Sequence, residues 1–188
     1  PRLTTWDVTD PAAPSLRAVS ELQPGRIEAL ALGEGVAFLA QGGSDGPWSP
    51  PWPYNGLATV DRGPGPCRRP DAALRIDEAF VTDMAVADGY AYVTESFGRM
   101  GVYSLAEPFA PVSAGSWRNW FGGTAGGYRG DGCVAVAGST VLVGYGDRLF
   151  AVRAAGSSRA PATIGSIAAP STHIREIAVD GKMAYVVG

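Results

Sequence analysis

Few residues in this chain are spaced for chemistry. His173 is the sole histidine, set among Ser171, Thr172 and Arg175. A serine hydrolase needs a nucleophile on a sharp Gly-x-Ser-x-Gly turn, and the chain has none, so His173 reads as a polar loop residue. One histidine and two cysteines, Cys67 and Cys133, with no Cys-x-x-Cys pair, also exclude a histidine–cysteine zinc site. Carboxylates are the better candidates. Asp83 and Glu176 each lie three residues before a recurring valine (Val86, Val179), Glu28 lies one place earlier in its own copy, and Cys133 takes the place of Asp83 in another. Converging on one mouth, Glu28, Asp83 and Glu176 would offer hard oxygen ligands to a cation such as calcium. The competing expectation is that each accepts backbone N–H bonds in its own loop, because the Asp-x-Asp-x-Asp-Gly spacing of a calcium loop is missing. No other cofactor is implied.

Two long stretches concentrate aromatic side chains. Residues 42–56 carry Trp48, Trp52 and Tyr54 among four prolines, and residues 118–132 carry Arg118, Asn119, Trp120, Phe121 and Tyr128. Rings on long loops above a rigid scaffold make a binding surface, and proline stiffness lowers the entropy lost in holding them outward. The plainer expectation is an aromatic lid folded over irregular loops. Arg129-Gly130-Asp131 reads as a turn rather than an adhesion motif.

The elements that must position these residues recur. Leu30–Leu39, Met84–Val93, Val134–Val143 and Ile177–Val186 share an ungapped pattern: apolar–Ala–apolar, a Gly-containing turn, then a second apolar run. Each is a β-hairpin. Equivalent positions Leu32, Val86, Val136 and Val179 are 54, 50 and 43 residues apart, the period of a blade-type array. A third strand follows each hairpin or opens the chain (from Leu3, Leu57, Met100 and Leu149), and a fourth follows it (near 16–19, 73–76, 112–117 and 162–167). With strands lettered A to D, the order is C-D in 1–26, complete blades in 27–80, 81–131 and 132–173, and A-B in 174–188. The predicted fold is all-β, a β-propeller or propeller segment with four blades' worth of four-stranded antiparallel sheet. Alanine recurs on the second face of every A strand, at Ala31, Ala85, Ala135 and Ala178. A solvated face would be polar there, so the A strands are expected to be buried on both sides, as stacked blades require.

Asp7-Val-Thr-Asp-Pro-Ala-Ala-Pro14 after an apolar strand, together with Val86-Ala-Asp-Gly-Tyr-Ala-Tyr-Val93, resembles the LVIVD repeat family; Tyr92-Val-Thr-Glu95 is also similar to YVTN repeats. The copy at Leu105-Ala-Glu-Pro-Phe-Ala-Pro111 keeps the proline spacing, while those after Leu57 and Leu149 lose it. The resemblance implies a bacterial or archaeal propeller that is extracellular, on the cell surface or periplasmic, and it carries over no catalytic residue. Physically, Asp10 before Pro11 should form an Asx-turn, which makes Asp10 and Glu107 structural.

Composition agrees with many short strands: 26 glycines and 15 prolines in 188 residues, with apolar residues still at 46%. A net charge of −3 without a basic cluster excludes a nucleic-acid footprint, and no apolar run is long enough to span a bilayer as a helix. The chain begins and ends inside repeat units, so further blades of a longer parent chain are expected partners. Strand parity puts Cys67 in a C–D connection and Cys133 at the start of an A strand, on opposite faces, too far apart for a disulfide. The expected function is a non-catalytic repeat scaffold meeting a protein or carbohydrate through one loop face. The alternatives are an enzyme or metal-dependent binder using the mouth carboxylates, and a purely structural array.

Overall fold

The computed structural model describes residues 2–21, 26–33, 36–42, 56–61, 73–76, 80–119, 132–153, 160–170 and 173–188. The architecture is all-β and propeller-type. Three four-stranded meanders make complete blades. The first comprises β3 (Arg26–Gly33), β4 (Val36–Gly42), β5 (Gly56–Asp61) and β6 (Ala73–Arg75). The second comprises β7 (Val81–Ala87), β8 (Tyr90–Glu95), β9 (Arg99–Ser104) and β10 (Val112–Arg118). The third comprises β11 (Cys133–Ala137), β12 (Thr140–Tyr145), β13 (Arg148–Arg153) and β14 (Ala162–Ala168). Two separate two-stranded sheets flank them: β1 (Arg2–Asp7) with β2 (Ser15–Glu21), and β15 (Glu176–Asp180) with β16 (Met183–Val187). By position these are a C-D pair and an A-B pair, and they are not joined into one sheet.

Local chemistry explains the hairpins. Asp88 and Gly89 take φ of 50° and 74°, the left-handed pair that lets a two-residue turn follow the twist of its strands. The Asp10 carboxylate accepts the Ala12 N–H at 3.0 Å, the expected Asx-turn. Asp7 accepts from the hydroxyl and the N–H of Thr9 and pairs with Arg17, and these contacts hold its carboxyl well below the usual range.

Register places alanine opposite a large residue in every A-B pair: Ala31–Phe38, Ala85–Tyr92, Ala135–Leu142 and Ala178–Tyr185. This face looks toward the following blade. Phe38, Ala40 and Leu57 pack with Met84, Val93 and Tyr103 of the second blade, and Ala31 and Val86 join them. Tyr92, Met100, Val102 and Trp117 pack with Val134, Val143, Tyr145 and Phe150 of the third. Ala135, Leu142 and Leu149 pack with Ile177 and Val179. The two-sided burial expected of the A strands therefore holds for β7 and β11, where Ala85 and Ala135 pack toward the following blade and Met84 and Val134 toward the preceding one; in β3 only the Ala31 face is packed. It fails at two places. Ala178 is exposed, as are Leu30 and Leu32, which were expected in the core. Ala178 lies on the outer face of the last A-B pair, and Leu30 and Leu32 face a neighbour represented only by a C-D pair.

Candidate functional site

The strands that carry the candidate residues end together. In the second blade Val81 pairs with Glu95, Glu95 with Arg99 and Arg99 with Arg118. The start of A, the B–C turn and the end of D thus share one rim. In the first blade Arg26 pairs with Gly42 and Gly56 with Arg75, so the B–C connection between Gly42 and Gly56 leaves from the corresponding rim. The D–A connection after Arg118 leaves from it too. Arg118 is exposed, and the buried Asn119 is fixed beside the B–C turn, its N–H donating to the Gly98 carbonyl at 2.8 Å. Trp48, Trp52, Tyr54, Trp120, Phe121 and Tyr128 lie outside the described residues, as do Cys67 and Arg129-Gly130-Asp131.

Of the rim carboxylates, Asp83 is used by the protein itself. One oxygen, Oδ1, accepts the Met84 N–H at 2.7 Å, and Oδ2 accepts the Val134 N–H of the third blade at 2.8 Å. Burial pushes its pKa above the usual range against those two bonds, with the nearby Glu176 charge adding to the rise. Beside it, Thr82 Oγ1 sits 2.9 Å from the Gly132 carbonyl and accepts the Gly132 N–H at 3.1 Å; Thr94 Oγ1 lies 3.1 Å from the same carbonyl. Asp83, Thr82 and Thr94 form a polar clip between the second blade and the start of the third. Glu28 does not share the position of Asp83. The ladder slips between Ile27 and Ala29 and again between Val81 and Asp83, so Glu28 stands at the bulge that Thr82 occupies in the next blade. Glu176 is exposed at the start of β15. Among the described residues no three His, Cys, Asp or Glu side chains form a group suited to a metal ion. Cys133 is a free buried thiol, and burial pushes its pKa up to about 12, which makes it a packing residue rather than a nucleophile.

A second polar group at this rim was not anticipated from the sequence. Glu95 is fully buried; Oε1 accepts from the Tyr103 hydroxyl at 3.3 Å and Oε2 lies 3.3 Å from Arg99 Nε. Burial raises its pKa, opposed by the charge of Arg99, the Tyr103 bond and the charge of Arg118. Gly101 makes the room: a Cβ there would fall 2.6 Å from Glu95 Oε1 and 2.7 Å from the Tyr103 oxygen. Tyr145 of the third blade donates to the Glu95 carbonyl at 2.9 Å and also reaches the Arg99 carbonyl. The only signal in the sequence was a carboxylate ending an otherwise apolar strand, with polar Gln41 at the same place in the first blade. Both are buried.

No family model and no curated protein matches the chain. Solved structures do, at low identity. A protein of unknown function from Desulfotomaculum acetoxidans DSM 771 superposes with a TM-score of 0.75 at 12% identity, covering 99% of this chain and 56% of its own. A candidate 6-phosphogluconolactonase from Bacteroides uniformis ATCC 8492 gives a TM-score of 0.69 at 16% identity, covering 92% and 52%. The computationally designed Ika8 protein gives 0.58 at 13% identity, covering 92% and 46%. The chain thus spans about half the length of these proteins. At such identities the likeness shows the fold, a propeller-type array of antiparallel blades.

Proposed function

We propose that this chain is a non-catalytic repeat scaffold, extracellular, on the cell surface or periplasmic, that meets a protein or carbohydrate through the rim bearing its two long connections. The observation that carries the reading is the common rim: Gly42, Gly56 and Arg118, the strand residues flanking the aromatic stretches, all stand where A strands begin. Arg118 is exposed there, and Asn119 is anchored beside it. Stacking rings next to a guanidinium and an amide suit a sugar or an extended peptide. The fit between Asp83 and two backbone N–H groups speaks against a cation held by Glu28, Asp83 and Glu176. In the longer protein, the remaining blades would complete the scaffold.

Glycan-array and peptide-library screens test this reading. Signal should be present for the parent chain and lost in Trp52→Ala and Trp120→Ala variants whose melting is unchanged. Binding that survives both substitutions, or that disappears only when the chain unfolds, would leave a structural role alone.

A further inference from the structure

The rim that carries the long connections is also where guanidinium groups gather. C strands open on arginine in three of four copies: Arg2 of β1, Arg99 of β9 and Arg148 of β13, with Gly56 at that place in the first blade. In the second blade the end of the D strand adds another, because Arg118 pairs directly with Arg99. A contact between blades brings Arg148 to the same stretch of rim. Tyr145 pairs with Arg148 across the B–C turn of the third blade, and its hydroxyl donates to the Arg99 carbonyl. Arg99, Arg118 and Arg148 all belong to complete blades, and the chain as a whole is at −3, so this gathering of positive charge is local.

Like charges facing each other across a ladder destabilise it unless something negative answers them. The protein answers only Arg99. Its partner Glu95, with Oε2 3.3 Å from Arg99 Nε, is fully buried, and burial pushes that carboxyl toward its neutral form. Arg118 is exposed, and Arg148 donates through Nη2 to Ser166 Oγ at 3.2 Å. Neither has a carboxylate partner among the described residues, and the exposed Asp147 beside Arg148 in the chain does not serve as one. The main chain of the rim, by contrast, is already committed. Ser96 N–H bonds the Phe80 carbonyl, Asn119 N–H that of Gly98, Ala169 N–H that of Asp147 and Ile174 N–H that of Gly146, at 2.6 to 2.8 Å. A peptide that docks as an added strand needs free main-chain groups, so at these turns recognition falls to side chains.

Resting on the rim proposed above as the meeting face, we propose that Arg99, Arg118 and Arg148 form a carboxylate-reading row and that the partner is an acidic glycan bearing uronate groups. A guanidinium fork matches a carboxylate through two parallel N–H···O bonds, which a hydrated ammonium cannot do. Sugar acids bring their charge on a ring, without a main chain that would need hydrogen bonds from the rim. Uronates on successive sugars would meet Arg118 and Arg148 and relieve the repulsion between Arg99 and Arg118.

Calorimetric titration of the chain with galacturonic acid oligomers tests the proposal, with neutral galactose oligomers and polyglutamate as comparisons. Galacturonate should bind best, and more weakly as salt is raised. Arg118→Gln and Arg148→Gln should each weaken that binding by about fivefold, the loss of one solvent-facing ion pair, with circular dichroism and melting unchanged. Arg118→Lys keeps the charge without the fork and should fall between Arg118→Gln and the parent. Galacturonate binding indifferent to both glutamine variants, or matched by the neutral oligomers, overturns the arginine row. The rim reading survives that result if Trp52→Ala and Trp120→Ala still abolish binding. Polyglutamate bound as tightly as galacturonate overturns the glycan as partner, and a chain that binds none of the three overturns the proposal outright.

Discussion

The junction between the second and third blades and the two ends of the array are built from the same repeat positions, and one is closed while the others are open. At the closed junction Tyr92 and Trp117 are buried, Trp117 Nε1 donates to Thr163 Oγ1 at 2.8 Å, and Asp83 reaches across to the Val134 N–H. In the flanking sheets and the faces beside them, Tyr185, Ile167, Leu30 and Leu32 hold the same places and are exposed. Apolar content at a repeat position therefore reports an interface the position is suited to make, whether or not a neighbour is present. Exposed apolar residues scattered singly need no explanation, but these fall at the repeat positions that are covered between complete blades.

Trp117 and Ile167 give the largest contrast. Trp117→Ala removes a ring packed on Tyr145 and Phe150 and should cost about 3–5 kcal/mol by urea denaturation. In dilute chain Ile167→Ala should cost less than about 0.5 kcal/mol. Equal losses would break the comparison.

Overpacking sharpens it. Ala85 is wedged between the second and third blades, so Ala85→Leu should destabilise by about 1–3 kcal/mol. Ala178→Leu at the equivalent exposed place should change stability by under about 0.5 kcal/mol in dilute chain. If Ala85→Leu melts like the parent, the second face of the A strand is not a blade interface.

The smallest effect concerns pH. Burial raises the pKa of Glu95, so the folded state keeps its proton to higher pH than the unfolded chain does. Its contribution to stability is fully present below the unfolded-state pKa, near 4.3, and is lost as pH rises through the higher folded-state value. Asp83 has the same sign. Glu95→Gln keeps an acceptor for Tyr103 and should flatten the fall in stability above that pH. A parent whose denaturation midpoint rises across this interval would contradict the assignment.

Strand order could be read in the sequence because each A-B hairpin carries its own turn chemistry, such as Asp88-Gly89, and its own apolar alternation. The meander follows from those local units. The rim's polar contacts could not be read. Asp83 meets Val134 across 51 residues and Tyr145 meets Glu95 across 50, and nothing local to either residue specifies its partner. Glu28 and Thr82 each stand four residues before the recurring Leu32 and Val86, as the extra residue of a bulge, so Glu28 matches Thr82 and is no counterpart of Asp83. Leu30 and Leu32 carry the alternation of a core strand. Sequence pattern shows which face is apolar, and only the neighbouring blade decides whether that face is covered.

Amide hydrogen exchange tests the account most directly. Amides of β8 and β12, paired on both edges within complete blades whose faces pack on each other, should be strongly protected. Those of β16, paired with β15 alone among the described strands, should exchange faster. Protection of β8 and β12 no greater than that of β16 would contradict the claim that the complete, mutually packed blades are the stable units.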